Sequence, residues 1–229
     1  MSAAQLLARS FDAGYVERQI QHLVPDGVDL GTGVRDHFEA ALLDAVTGLS
    51  ALKTVRNKGF DYLVSWQYAV FIYQLSRRIW LQDGGTELPV RLFLLNKALN
   101  GLDLFYEIEM PTHFFIGHTV GAVFAKADYG DYLVVHQNCT VGRQGAHRPV
   151  LEDGVVMFPG SCIVGNCVVK ENTVLSAGVS LVNTSTPGNC YVFQGKSGRP
   201  VFKELNKYYA DEYYDRGAVV ASAGGSPSP

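Results

Sequence analysis

The 36 residues from Leu151 to Thr186 divide without remainder into LEDGVV, MFPGSC, IVGNCV, VKENTV, LSAGVS and LVNTST. The first place of each hexapeptide is large and apolar: Leu151, Met157, Ile163, Val169, Leu175 and Leu181. Four places on, the residue is small or β-branched: Val155, Ser161, Cys167, Thr173, Val179 and Ser185. A period of six held over this length fits neither a 3.6-residue helix nor a two-residue strand alternation. It fits short strands and turns, three to a triangular coil, with coils stacked by parallel strand pairing and the large residue aimed at the axis.

The same phase extends upstream through Val123, Tyr129, Val135 and Val141, with Ala127, Leu133, Cys139 and Gly145 at the smaller place. The step from Val141 to Leu151 is four residues too long, so an inserted loop is expected at residues 143–148. Cys139 and Cys167 occupy small-residue places and are expected to fill the core.

Before residue 107 the spacing is helical. Phe38, Leu42, Val46, Leu49 and Leu52 form one stripe. Tyr62 to Leu81 forms a longer apolar helix stopped by Asp83-Gly84-Gly85, and Leu88 to Tyr106 a third. The expected organisation is therefore α+β: a helical domain over 1–106, a parallel β-helix over 107–201, a capping helix over 202–216 and a disordered tail over 217–229. The cap is expected because an open coil end would template further strand pairing.

Composition narrows the function. With 19 basic and 22 acidic residues among 229, the formal charge is −3, which offers no basic field for nucleic acid. Polar and charged residues within Tyr62–Leu81 argue against a membrane span. The first residues show no signal peptide, and four cysteines without C-x-x-C spacing suit a reducing cytoplasm. The sequons at Asn138 and Asn183 are then chance occurrences.

The repeats resemble those of the hexapeptide-repeat acyltransferases, which fold as left-handed parallel β-helices. Within them the helical first half resembles the serine O-acetyltransferases. The resemblance spans roughly residues 60–203. It rests on Glu109-Met110-Pro111, Gly117-His118-Thr119-Val120-Gly121, Asn138-Cys139-Thr140-Val141-Gly142, Pro149 to Val155 and Ser176-Ala177-Gly178.

It implies transfer of an acetyl group from acetyl-CoA to a hydroxyl, with no metal. Such chemistry needs a base, an oxyanion donor and a slot for the coenzyme. The resemblance makes His118 the base and Glu109 its orienting carboxylate, with Glu107 a competitor. It places acceptor binding at His147 and Arg148 in the inserted loop. It lines the coenzyme slot with Gly142, Pro159, Gly160, Ala177 and Gly178, and brings Lys196 and Arg199, with Lys203 nearby, to the phosphates. The slot lies between neighbouring subunits of a homotrimer, and the helical half is a candidate for joining two trimers.

Two departures bear on the acceptor. The family's loop pair is arginine then histidine, and here the order is His147 then Arg148. The family also has an aspartate before its catalytic histidine, where this chain has Gly117. Both point towards a sugar hydroxyl or amine as the alternative acceptor. A third reading is a zinc enzyme like the γ-type carbonic anhydrases, using His113, His118 and His136. A fourth is a non-catalytic assembly subunit, against which His118, Glu109 and the inserted loop argue.

Overall fold

The computed structural model describes residues 11–56 and 58–216. Four helices come first: α1 (Ala13–Leu23), α2 (Gly33–Ser50), α3 (Ser65–Asp83) and α4 (Glu87–Asn100). Asp12 caps α1 by accepting the Tyr15 backbone N–H at 2.8 Å. Gly84 and Gly101 end α3 and α4 in the left-handed conformation. The third expected helix thus stops at Asn100, six residues short of Tyr106. The buried α3 packs between α2 and α4. Buried polar groups are satisfied there: Ser76 of α3 donates to the Pro89 carbonyl at 2.8 Å, and Asn96 of α4 donates to the Ala69 carbonyl at 3.0 Å. Among the described residues, no helix is long and apolar enough to cross a membrane.

Fourteen strands follow among the described residues. The first face of the β-helix holds β1 (Asp103–Leu104), β3 (Val123–Phe124), β6 (Thr140–Gly142), β9 (Cys162–Val164) and β12 (Ser180–Val182). The second holds β4 (Asp128–Tyr129), β7 (Val150–Leu151) and β10 (Val168–Val169). The third holds β2 (Phe114–Gly117), β5 (Leu133–His136), β8 (Val156–Met157), β11 (Thr173–Leu175) and β13 (Cys190–Gln194). All these pairings are parallel. The first coil opens at Asp103, because β1 already pairs with β3, so the β-helix begins before residue 107.

Three columns of large residues fill the axis. Leu104, Phe124, Val141, Ile163 and Leu181 stack on the first face. Tyr129, Leu151 and Val169 stack on the second. Ile116, Val135, Met157, Leu175 and Val192 stack on the third. Cys139 and Cys167 are buried in the core as expected.

Register also corrects the upstream phase. Phe124 is 4% exposed and points inward, while Val123, expected inside, is 39% exposed. The pairing steps explain the slip: β2 to β5 is 19 residues (Phe114↔Leu133) and β3 to β6 is 17 (Val123↔Thr140). A residue gained on one face is given back on the next. The inserted loop adds four residues to the usual 18, as Val134↔Val156 against Val156↔Val174 shows.

The capping helix over 202–216 is not what the chain forms. Pro200–Glu204 is β14, antiparallel to β13, followed by a single 3-10 turn at Tyr209–Glu212. The edge of β13 needed backbone partners, and a strand supplies them where a helix cannot. Beyond it, residues 205–216 run as a strap over the outside of the third face. Asn172 donates to the Lys207 carbonyl and accepts the Tyr209 N–H, at 2.9 and 2.8 Å. Tyr214 donates to the Leu133 carbonyl at 2.9 Å, and the Asp215 N–H bonds the Ala51 carbonyl of the helical part. Under this strap Val134, Val156 and Val174, which alternate with the inward residues, are fully buried too. The expected tail, 217–229, lies outside the described residues.

Candidate active site

His118 stands on the edge where the third face turns into the first. Successive coils place Asn138, Gly160 and Gly178 on this edge, all with positive φ. They are tied coil to coil: Asn138 N–H to Val120 O at 3.0 Å, Gly160 N–H to Gln137 O at 3.1 Å, Gly178 N–H to Pro159 O at 3.0 Å. His118 itself has φ +56, a left-handed conformation uncommon outside glycine, and it is exposed. Thr119 beside it is pinned, donating to the Asn100 carbonyl at 2.6 Å.

Above His118 the edge is narrow and bare. A Cβ added at Gly160 would find only the Gly178 nitrogen, at 4.0 Å, and one at Gly178 would find nothing within 4 Å. Pro159 and Ala177 flank these glycines. Register then carries β13 past Leu175, where β11 turns, so the hairpin of 195–199 projects beyond the same edge. It exposes Lys196 and Arg199 there. Lys203 follows on β14. From His118 to the hairpin is four coil steps, about 19 Å at the parallel strand spacing.

The other expected residues lie elsewhere. Gly142 ends β6 at the far side of the first face, beneath Val164, where the next edge begins. The inserted loop starts there. A backbone pair between Gln144 and His147 closes it, and Asn183 donates to the Gln144 side chain at 2.5 Å. His147 and Arg148 are exposed, and Arg148 pairs with Asp128 at 3.3 Å. Within one chain the first face separates this loop from His118.

Glu109 keeps company with the loop rather than with His118. It is 85% exposed and 3.8 Å from Arg77. With Met110, Pro111, Thr112, Ala127, Asp128 and Tyr129 it lines a cavity of 370 Å³. Glu107 is paired with Lys126. Neither acid orients His118 within the chain, because residues 108–112 cross to the opposite edge before β2 returns.

What does stand beside His118 is His136, a neighbour that the sequence reading missed as part of this site. Gly117 and His136 are register partners on β2 and β5. The His136 ring stacks on Phe158 (5.3 Å, 5°), and its Nε2 lies 3.0 Å from the Tyr213 hydroxyl of the strap. Burial, then the charge of His118, lowers its pKa. Burial chiefly raises that of Tyr213. The spacing of 18 between His118 and His136 carries the signal, which the zinc reading assigns to a metal column.

That zinc reading does not hold within the chain. His113 turns to the edge between the second and third faces, where its Nδ1 meets Asp131 at 2.8 Å. Among the described residues no three histidine, cysteine or acidic side chains are grouped to hold a metal ion.

Comparison with known proteins agrees with this architecture. A serine acetyltransferase of Synechococcus elongatus is 29% identical over 150 residues, covering 63% of this chain and 57% of the relative. One of Staphylococcus epidermidis is 28% identical over 98 residues, covering 41% and 46%. The serine acetyltransferase structure from Neisseria gonorrhoeae superposes with a TM-score of 0.64 at 19% identity, covering 93% of this chain and 87% of that one. The fold is that of the serine acetyltransferases, a left-handed parallel β-helix behind a helical domain. The Brucella abortus serine acetyltransferase in complex with coenzyme A gives a TM-score of 0.62 at 18% identity, covering 87% and 85%. The soybean enzyme complexed with serine gives 0.58 at 17%, covering 74% and 72%. The chain spans about half the length of the curated relatives it matches. No family model matches it.

Proposed function

We propose that this chain is an acetyl-CoA-dependent O-acetyltransferase of the serine acetyltransferase kind, with His118 as general base. The observation that carries the reading is the single edge that has His118 at its foot, bare glycines along it and Lys196 and Arg199 at its head. A narrow, amide-rich pantetheine arm suits exposed backbone and Pro159, Gly160, Ala177 and Gly178, and cations suit its phosphates. His118 takes the proton from the acceptor hydroxyl as that oxygen attacks the thioester carbonyl. The C–S bond then breaks, and His118 returns the proton to the departing thiolate.

A homotrimer completes the site in this reading. The outward side of the first face carries Val123, Thr140, Cys162, Val164, Ser180 and Val182, uncharged residues suited to lie against another copy. A neighbour's loop would then bring Gly142, His147 and Arg148, and its Glu109, towards His118. Arg148 offers a carboxylate clamp and Glu109 the orienting charge. A sugar acceptor is the second reading, favoured by the missing side chain at Gly117 and the reversed loop pair.

The test is release of coenzyme A from acetyl-CoA with L-serine, homoserine and several sugar nucleotides as acceptors. Turnover with L-serine supports the first reading, and turnover only with a sugar the second. No turnover with any acceptor overturns both.

A further inference from the structure

We infer that His136 supplies the oxyanion hydrogen bond of the transfer step, through an Nδ1–H that Tyr213 of the strap fixes in place. The inference rests on the acetyltransfer reading above.

Glycine at 117 makes room for it. A Cβ there would stand 3.2 Å from His136 Nδ1 and 3.1 Å from the Phe115 ring. With no side chain at 117, Nδ1 opens onto the residue next to His118. The ring cannot swing away, since Phe158 stacks on one side of it and Tyr213 stands edge-on at 5.9 Å.

The tautomer follows from the partner on the other nitrogen. Burial keeps the Tyr213 phenol protonated and His136 neutral near pH 7. A phenol is the stronger donor of the two and a neutral imidazole nitrogen the stronger acceptor. Tyr213 therefore donates to Nε2 across their 3.0 Å, and the ring proton sits on Nδ1. Among the described residues Nδ1 has no hydrogen-bond partner. Gly117, the register partner of His136, precedes His118 in the chain, and the charge of His118 reaches the His136 ring. A neutral imidazole N–H is a competent donor to a developing oxyanion, and it keeps its proton throughout. The strap thereby connects the far end of the chain to the chemistry.

Two measurements test this. Nitrogen-15 spectra of histidine-labelled protein should show the His136 proton on Nδ1, moving towards Nε2 in Tyr213→Phe. His136→Phe keeps the stack on Phe158 but has no donor, and its kcat should fall by about 10²-fold with the KM for acetyl-CoA little changed. His136→Asn, whose amide nitrogen mimics Nδ1, should recover at least about tenfold of that loss, whereas His136→Gln should not. Circular dichroism of each variant reports folding. An Nε2–H tautomer in the unaltered protein overturns the inference, as does a kcat unchanged in His136→Phe. Failure of the unaltered protein to turn over acetyl-CoA with any acceptor defeats the acetyltransfer reading and this inference together.

Discussion

The phase of the first complete coil gives a sharp test of the architecture, because two adjacent residues exchange roles. The repeat counted backwards from Leu151 makes Val123 a core residue, whereas register makes Phe124 one. Phe124 is 4% exposed, sits between Leu104 and Val141 in the first-face column, and meets the Tyr129 ring at 6.0 Å and 63°. Phe124→Ala removes a buried ring, leaves a cavity that a stacked column cannot close, and should cost about 3 to 5 kcal/mol. Val123→Ala trims a side chain that is 39% exposed in the single chain, opens no cavity in the axis, and should cost about 1 kcal/mol even where another copy lies against it. Urea unfolding at one fixed protein concentration reads both, because any assembly makes stability concentration-dependent. The midpoint should drop steeply for Phe124→Ala and far less for Val123→Ala, with similar m-values. A greater loss in Val123→Ala than in Phe124→Ala would refute the register and the assignment of the axis.

Two further predictions concern the strap and the edge it covers. Tyr214→Phe deletes the hydroxyl that donates to the Leu133 carbonyl in a residue 1% exposed, so stability should fall by about 1 kcal/mol with the fold intact, as thermal and urea melts would report. At Asp131, burial raises the carboxyl pKa, but hydrogen bonds from the His113 ring and backbone N–H outweigh it and leave the pKa below its ordinary 3.8. A folded-state pKa held down means stability that is present above pH 3.8 and lost as pH falls through the lower folded value. Asp131→Asn should therefore be less stable than the unaltered protein at neutral pH, and the gap should close in acid below 3.8, measured by denaturant melts across pH. A gap that widens in acid would contradict the pairing with His113.

Much of the fold was legible because the repeat from Leu151 to Thr186 runs unbroken, and a strict period leaves one phase available. It failed upstream for a physical reason. Lengthening the step between β2 and β5 is compensated on the next face, so the total is conserved while the phase at Val123 shifts. The strap escaped notice because tyrosines and charges from Phe202 to Asp215 suit an amphipathic helix equally well. What decides against a helix is the unpaired edge of β13, which only assembled coils possess. The site was partly legible in the same way. His118 and the glycines share an edge that the period itself generates. Glu109, close to His118 in sequence, is carried to another edge. His136 lies one regular coil of 18 residues after His118, but the 19-residue step makes Gly117, not His118, its register partner.

The central claim is that His118, at the foot of the edge between the third and first faces, is the base for acetyl transfer. His118→Ala, assayed for coenzyme A release alongside equilibrium binding of acetyl-CoA, tests it most directly. The account predicts a kcat lower by about 10²- to 10⁴-fold, with acetyl-CoA bound as tightly as before. A variant that turns over at the unaltered rate would contradict it.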